Sequence, residues 1–406
     1  MRALEPRPAR QDSLRERNLA LVLKQIADAP EPVSRAEVAA TTGLTKATVS
    51  ALVDTLVSSG LVGELEPRLA KPTGRPATGL VIDGTRIGGL GVELNAGYLA
   101  ACVVDLAGAV RHREVVRDDQ RGQDPERTSA VLAALAAHAI AVVAADGLVT
   151  AGVAVAVPGL VDWPAGVLRF APDLGWRDVD ILGLLSRTAE LSRVPVTVDS
   201  EANFAALGEL HSVAAAPGDF LYVRGGTEVR AGIVVGRELF HGMRGWSGEI
   251  GHVTVDPDGP ACRCGAWGCL ERFAGLEAIV RASGLPVAAT DPAVVDRIAE
   301  AASAGDARTD QALRTAGRAL GIAGAGAINL LDLPEIVLGG SYAPLAAWTA
   351  PELQREVDRR VLSAAWSPVT VRPGTAGTDA AVLGAAGSVT RAIMRDPADW
   401  LRREVR

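Results

Sequence analysis

The chain has 406 residues, of which 48% are hydrophobic and 4% aromatic, and a formal net charge of −7. This length allows two or three domains, and the core is expected to consist of small aliphatic side chains. The first residues lack the pattern of a signal peptide, and the most apolar long run, residues 130–145, is mostly alanine and contains His138. Both features argue against a secreted or membrane-spanning protein, so we expect a cytoplasmic protein with no membrane partner.

The charge is unevenly distributed along the chain. Residues 1–80 carry 11 Lys and Arg against 9 Asp and Glu, a net charge of +2, and contain all three lysines, Lys24, Lys46 and Lys71. Residues 81–406 carry a net charge of −9. Because an acidic body repels nucleic acid, any contact with a phosphate backbone is expected in the N-terminal segment.

The N-terminal segment predicts three helices. A first helix is expected over residues 12–28. A second begins at Ser34, where Glu37 completes a capping box, and ends near Gly43. A third helix is expected from Thr45 to Gly60, with its apolar residues on one face.

The spacing Ala39-x3-Gly43-x5-Val49 is typical of a helix-turn-helix, in which a small residue permits close helix crossing and glycine takes the turn. The exposed start of the third helix would then meet base edges in the major groove. Four polar residues are predicted to make these contacts: Thr45, Lys46, Thr48 and Ser50. A three-helix packing domain without a role in DNA binding is the alternative.

Two short strands, residues 61–65 and 79–82, follow the third helix and predict a wing. Its tip is rich in turn residues and carries Lys71 and Arg75, which suit contacts with phosphates or with the minor groove. Residues 12–82 therefore predict a winged helix-turn-helix DNA-binding domain.

Beyond about residue 86, short apolar runs bounded by glycine alternate with helical segments, which indicates buried strands in α/β layers. Two similar lobes are expected, residues 86–200 and 201–406, because each starts with a strand, a turn and a second strand. The last helix of the second lobe is expected to return to the first. Two such lobes with a cleft between them are the actin-like (ribonuclease H-like) architecture of sugar kinases.

Three of the four cysteines fall within eight residues, and a histidine lies ten positions before the first of them. One imidazole and three thiolates form a complete tetrahedral set for a structural Zn²⁺. The ligands are predicted to be His252, Cys262, Cys264 and Cys269. This is not the spacing of a zinc finger, so the metal is expected to fold a loop rather than to read DNA. A disulfide with a spare thiol is the alternative, and no other feature indicates an oxidising compartment.

Several motifs of the body together resemble the ROK family (repressors, open reading frames, kinases). They are Gly248-Glu249-Ile250-Gly251-His252, the loop Cys262–Glu271, Val157-Pro158-Gly159, Ala171–Trp176 and Glu201-Ala202-Asn203. The repressor branch of the family also carries an N-terminal winged helix, so the resemblance spans the chain. It implies an actin-like ROK sugar-kinase fold, zinc at the four ligands above, a sugar pocket between the lobes, and a homodimer or tetramer.

Three departures from the motifs of ROK kinases argue against ATP-dependent catalysis. In ROK kinases the turn after the first strand resembles Asp-x-Gly-Gly-Thr, whose glycines let the backbone approach a phosphate. The corresponding turn in this chain, Glu93–Gly97, has other residues at both glycine positions. The second phosphate loop carries Glu228 and Arg230 in place of glycines. Glu201 stands at the position of the catalytic Asp, and a misplacement of about 1 Å can reduce a rate on the order of 100-fold. A Glu at this position resembles the xylose-repressor-like members of the family.

The resemblance also assigns a sugar pocket. It places there Asp173, Glu201, Glu249, His252 and Glu271. Carboxylates suit this role because each oxygen accepts charge-assisted hydrogen bonds from hydroxyl groups. Asp173 stands where the family usually has Asn. A carboxylate only accepts hydrogen bonds, whereas an amide also donates them, so the resemblance does not identify the sugar. Structural alternatives remain for Glu271, as the first residue of a helix, and for Glu249, as a partner of the zinc loop.

Four further histidines show no ligand spacing and are interpreted as surface or packing residues: His112, His138, His211 and His241. Cys102 lies in an apolar strand and is interpreted as a buried small hydrophobic residue.

These observations predict a sugar-responsive, kinase-inactive transcriptional regulator, in the first place a repressor of genes for carbohydrate uptake or catabolism. It would bind operator DNA as a dimer, with a monosaccharide or sugar phosphate as effector in the cleft. One alternative is an ATP-dependent sugar kinase, alone or combined with regulation. Another is a regulator that responds to a protein partner and retains an unused pocket.

Overall fold

The computed structural model describes residues 11–68, 77–212 and 218–404. The N-terminal head has three helices and a two-stranded antiparallel sheet: α1 (Gln11–Ala27), α2 (Arg35–Thr42), α3 (Lys46–Ser58), β1 (Val62–Arg68) and β2 (Ala77–Ile82). Ser34 and Glu37 form the predicted capping box, and Gly43 ends α2 with a φ of 71°. Thr45 caps α3 through a hydrogen bond from the backbone of Thr48. The helix-turn-helix and the two wing strands are thus confirmed.

The predicted tip of the wing, with Lys71 and Arg75, lies outside the described residues. The DNA contacts expected of these two residues therefore rest on the sequence alone.

The first lobe is built on a five-stranded sheet, with a smaller three-stranded sheet beside it. Its elements are β3 (Ile87–Asn95), β4 (Tyr98–Asp105), β5 (Val110–Arg117), α4 (Pro125–Ala145), β6 (Val149–Val157), β7 (Leu160–Asp162), β8 (Val167–Ala171), β9 (Trp176–Asp180), α5 (Ile181–Leu185) and β10 (Val196–Ser200). The large sheet has the order β10-β6-β3-β4-β5, and β7, β8 and β9 form the small one.

The second lobe contains another five-stranded sheet and most of the helices. Its elements are α6 (Glu201–Ser212), β11 (Phe220–Gly225), β12 (Arg230–Val235), β13 (Glu238–Leu239), α7 (Glu271–Ala274), α8 (Leu276–Ser283), α9 (Val294–Ser303), α10 (Ala307–Leu331), β14 (Glu335–Gly340), α11 (Tyr342–Arg360), β15 (Thr370–Pro373), α12 (Ala380–Arg395) and α13 (Pro397–Glu404). The sheet order is β13-β12-β11-β14-β15.

The two large sheets share one topology. In each, the first three strands pair antiparallel in sequence order. The fourth strand then pairs parallel with the first, and the fifth pairs parallel with the fourth. This repetition confirms the two similar halves and the actin-like fold class predicted from the alternating pattern.

Helix α4 is the one described helix that is long and apolar enough to cross a membrane, by length and composition alone. Its buried residues include Leu132, Ala136 and Val143, which belong to the hydrophobic core of the first lobe together with Leu90 and Val103 of the sheet. The predicted buried helix at this position is therefore a packing element of the first lobe.

Helix α12 packs tightly against elements of both lobes. A Cβ atom added at Gly91 of β3 would lie 2.1 Å from the carbonyl oxygen of Val382 on α12. One added at Gly384 of α12 would lie 1.8 Å from the carbonyl oxygen of Phe204 on α6. Glycine permits these approaches because it lacks a side chain. The chain thus returns to the first lobe near its C-terminus.

The head shares a hydrophobic core with the body. Leu23 and Leu61 of the head belong to the same buried cluster as Ile87 of β3, Ile393 of α12 and Trp400 of α13. Glu16 of α1 and Arg402 of α13 also form an ion pair. Only residues 83–86 separate β2 from β3. The head is therefore seated on the C-terminal helices rather than attached through a flexible linker.

We expect Gly384→Ala to lower the free energy of unfolding by about 3 kcal/mol, the upper part of the range for overpacking, because the new methyl group meets the carbonyl of Phe204. Chemical denaturation monitored by circular dichroism measures this change.

Gly326→Ala is the matched control, because a Cβ atom at this helical glycine meets nothing within 4 Å. It should stabilise α10 by about 0.5–1 kcal/mol. Equal effects of the two substitutions would contradict the close packing of α12 on α6.

Candidate functional site

The four predicted metal ligands lie together. His252, Cys262, Cys264 and Cys269 each place one ligand atom within 4.8 Å of the others. His252 Nδ1 is 3.8 Å from Cys262 Sγ, and Cys264 Sγ is 3.7 Å from Cys269 Sγ. Tetrahedral zinc–sulfur bonds of about 2.3 Å separate two sulfur atoms by about 3.8 Å. All four cysteines of the chain are free thiols, so the disulfide alternative is not realised, and the donor set fits a zinc ion.

The cysteine loop depends on glycines with positive φ. Gly265 has a φ of 96° and Gly268 a φ of 65°. A Cβ atom at Gly268 would lie 1.5 Å from the carbonyl oxygen of Asp256. The backbone N–H of Cys262 donates to the carbonyl of Ala266 over 2.8 Å, which closes the turn. These local constraints bring the sulfur atoms to one side of the loop.

The segment with the four predicted ligands, residues 252–269, is the metal loop. It adjoins two of the predicted sugar-binding carboxylates. His252 Nε2 lies 4.0 Å from Glu249 Oε2, while its Nδ1 faces the cysteines. Cys269 pairs with Thr254 in a β-bridge, and two residues later Glu271 begins α7. The four predicted ligands therefore adjoin the segments that carry Glu249 and Glu271.

Arg230, the first residue of β12, links the loop between β11 and β12 to Glu249, which precedes the metal loop. Its side chain is buried, and its Nε donates to Glu228 Oε2 over 2.8 Å. Its Nη1 donates to Glu249 Oε1. The guanidinium thus joins Glu228 to Glu249.

The carboxylates around Arg230 lie in a desolvated, acidic environment. Burial, with the nearby charge of Glu228, raises the pKa of Asp173 and raises the pKa of Glu271 to about 7. Asp173 accepts a hydrogen bond from the Thr227 hydroxyl. Glu228 is only 8% exposed, and its Oε1 is buried without a hydrogen-bond partner among the described residues. This group of carboxylates therefore includes a buried acceptor that lacks a donor among the described residues.

A second arginine cluster joins the two lobes. Arg224 of β11 lies 2.5 Å from Glu201 Oε1 through Nη1 and 3.7 Å from Glu93 Oε1 through Nη2. The Tyr98 hydroxyl donates to Glu93 over 2.8 Å, and Asn95 Nδ2 lies 3.5 Å from Glu201 Oε2. Burial, although opposed by the charge of Arg224, raises the pKa of Glu93 to about 7 and also raises the pKa of Glu201.

Sequence reasoning did not identify Arg224 as a site residue. The available signal was a basic residue near the end of a buried strand, where an unpaired charge is costly. Of the five predicted sugar-binding residues, the structure groups Asp173, Glu249 and Glu271 near Glu228 and Arg230, and it pairs Glu201 with Arg224. The fifth residue, His252, lies in the metal loop.

The predicted DNA-binding residues occupy different environments. Thr45 and Lys46 are exposed at the start of α3, and Thr48 is half-buried, with its hydroxyl 2.9 Å from that of Thr45. Ser50 instead accepts a hydrogen bond from Arg35 Nη1 over 2.9 Å, and the same guanidinium pairs with Asp54 and Glu64. The exposed start of α3 thus offers Thr45 and Lys46 to a ligand, whereas Ser50 is engaged inside the head.

The head and the body match different known protein families. A sequence model of the ROK family matches residues 89–392, and a model of the IclR helix-turn-helix domain matches residues 17–65. The xylose repressor of Bacillus subtilis (strain 168) is 31% identical over 382 residues, which cover 93% of this chain and 95% of that protein. The similarity to this repressor therefore extends over both the head and the body of the chain.

Two solved structures share the fold. A ROK family transcriptional regulator, described as a homologue of the Escherichia coli MLC protein, has a TM-score of 0.79 and 23% identity, and it covers 96% of this chain and 98% of its own. A ROK family glucokinase from Streptomyces griseus, in complex with glucose and AMPPNP, has a TM-score of 0.62 and 25% identity. The match to the glucokinase covers 74% of this chain and 98% of the kinase.

Replacement of Glu93 tests the buried carboxylate. Because its pKa is raised from 4.5 to about 7 in the folded protein, the stability it contributes is complete below pH 4.5 and is lost as the pH rises through 7. We expect Glu93→Gln to remove this loss, which is of the order of 3 kcal/mol. Denaturant unfolding at pH 5 and pH 8 measures the difference from wild type.

Glu190→Gln serves as the control, since Glu190 is exposed and should follow the wild-type pH dependence. Parallel stability curves for wild type and Glu93→Gln would contradict the buried environment of Glu93.

Proposed function

The chain belongs to the ROK family, and we propose that it is a sugar-responsive transcriptional repressor of genes for carbohydrate uptake or catabolism. The observation that carries this proposal is the shared core of the helix-turn-helix head and the C-terminal helices of the two-lobed body. The similarity to a xylose repressor along almost the whole chain supports it. Such a protein acts where the chromosome lies, in the cytoplasm.

The head would read operator DNA through the start of α3. Thr45 and Lys46 are exposed there, in the position from which a recognition helix reaches base edges and phosphates. Thr48, Ser50, Lys71 and Arg75 complete the proposed contact set, with Ser50 the least accessible because Arg35 holds it. Two heads are needed for a symmetric operator, so a homodimer or tetramer is part of the proposal.

We propose that the body does not transfer phosphate. Phosphoryl transfer requires a metal-linked carboxylate and a base for the sugar hydroxyl. The residues at the corresponding positions, Glu93 and Glu201, both face the Arg224 guanidinium. This fixed positive charge competes with a divalent cation for the two carboxylates, and Glu228 places a negative charge in the second phosphate loop.

The charges of the cleft favour an unphosphorylated monosaccharide. A hydroxyl group can donate to the unpaired Glu228 Oε1 and to Asp173 or Glu271. A phosphate dianion would instead meet several carboxylates, and the buried Arg230 already pairs with Glu228 and Glu249. A buried charge without a matching partner is strongly unfavourable, so sugar phosphates should bind more weakly.

Helix α6 would carry the effector signal to the head. It begins at Glu201, in the cleft, and packs closely on α12, which shares the core of the head. A sugar that changes the pairing of Glu201 with Arg224 would favour one arrangement of the lobes over another. The head would then change its orientation on the operator.

We further propose a structural Zn²⁺ ion at His252, Cys262, Cys264 and Cys269. The ion would supply folding free energy to the loop and hold Glu249 and Glu271 in fixed positions.

Two variants test the division of roles. Operators are first selected from random DNA duplexes, and affinities for DNA and for a panel of monosaccharides are then measured by fluorescence anisotropy and calorimetry. Lys46→Ala should weaken operator binding on the order of 10-fold and leave sugar binding unchanged. Glu249→Gln should weaken sugar binding on the order of 10-fold and leave operator binding without sugar unchanged.

The rival functions give distinct results in the same preparation. Turnover of ATP with any sugar of the panel, abolished by Glu201→Ala, would establish the kinase alternative. Binding of operator DNA without stabilisation by any sugar or sugar phosphate would favour the regulator controlled by a protein partner.

Zinc removal tests the metal loop. Cys264→Ser, or removal of the metal with a chelator, should lower the thermal midpoint by several degrees and uncouple sugar binding from operator release. Metal content by mass spectrometry and a melting curve measure both steps. Cys102→Ala controls for loss of a thiol outside the loop without burying a polar group, and unchanged stability after verified metal loss would refute a structural zinc site.

A further inference from the structure

A second group of potential metal ligands lies on the outer side of the first lobe. His112 and Glu114 are two residues apart on β5, so they point to the same side of the strand. His138 on α4 meets them there. The three residues each place one ligand atom within 4.8 Å of the others. His138 lies 24 residues after Glu114 in the sequence, so the spacing of these residues does not indicate a metal site.

The distances within this group suit one metal ion. His138 Nδ1 lies 2.8 Å from Glu114 Oε2, and His112 Nε2 lies 3.6 Å from the same oxygen atom. Two ligand atoms bonded to one transition-metal ion at about 2.1 Å lie about 3.0–3.4 Å apart. Small movements of the three side chains would therefore complete the geometry.

The environment of His112 also indicates a missing partner. Its Nε2 atom is buried and has no hydrogen-bond partner among the described residues. A buried polar atom without a partner is unfavourable. A metal ion bound to this nitrogen would satisfy it and would be shared with Glu114 and His138.

We propose that His112, Glu114 and His138 form a second metal site, for a divalent transition-metal ion such as Zn²⁺, Co²⁺ or Ni²⁺. Two imidazoles and one carboxylate favour these ions over Mg²⁺ or Ca²⁺, which prefer oxygen ligands. Glu114 and His138 are partly exposed, so water can complete the coordination. The site contains no thiolate, which distinguishes it chemically from the cysteine loop.

The site would stabilise an edge of the first lobe. Strand β5 is the last strand of its sheet, and among the described strands it pairs with β4 alone. A metal ion shared by β5 and α4 would join this edge strand to the helix that covers it. Binding to the folded state alone would stabilise the protein, and the stabilisation would grow with the logarithm of the free metal concentration once that concentration exceeds the Kd.

The test uses the full chain with its cysteine loop already loaded with zinc. Calorimetric titration with Ni²⁺, followed by dialysis and mass spectrometry, counts the additional bound ions. We expect one additional Ni²⁺ per wild-type chain, and a rise of at least about 2 °C in the thermal midpoint. Glu114→Gln should weaken Ni²⁺ binding at least about 10-fold, and the double variant His112→Ala, His138→Ala should abolish it.

Cobalt substitution identifies the ligands. Co²⁺ at this site should show only the weak visible bands of nitrogen and oxygen ligands, without the intense near-ultraviolet absorption of a thiolate complex. Glu126→Gln, at an exposed position at the start of α4, is the matched control and should retain the additional ion. The proposal is wrong if wild type and the double variant bind the same number of Ni²⁺ ions, because the group would then be only an ion pair of Glu114 with His138.

Discussion

The close packing of α12 against β3 and α6 is the constraint on which the rest of the structure depends. Glycines at the two contacts let backbones approach to distances that a methyl group would prevent. The same helix then contributes Ile393 to the core of the head, and α13 adds Trp400. A single helix therefore touches the first lobe, the second lobe and the DNA-binding head. In the proposed function, a rearrangement of the lobes would move α12 and thereby the head that packs on it.

The electrostatics of the cleft follow from two buried arginines. Arg224 pairs with Glu93 and Glu201, and Arg230 pairs with Glu228 and Glu249. Each cation offsets part of the cost of burying carboxylates, but it also occupies space and charge that a nucleotide and its metal would need. Glu228 Oε1 has no hydrogen-bond partner among the described residues, and a hydroxyl group can donate to it. These pairings support the proposal that the body binds a sugar without phosphorylating it.

The metal loop and the head show how far local sequence reasoning extends. The capping box at Ser34 and the turn at Gly43 are confirmed, because each is decided by a few neighbouring residues. The convergence of three cysteines and His252 was predictable for the same reason, since two of the loop glycines adopt positive φ. The expected contact of Ser50 with DNA is less favourable, because Arg35 reaches it from another helix.

The sequence by itself determined the helix-turn-helix, the two similar α/β halves and the grouping of His252 with three cysteines. These features depend on hydrophobic periodicity and on spacings within short segments, and neither requires knowledge of how distant parts of the chain pack. Only the tertiary structure decided that Arg224 faces Glu93 and Glu201, that His112 and Glu114 meet His138, and that α12 joins the lobes to the head. These contacts connect residues from different strands and helices, so their geometry is set by how the layers pack against one another.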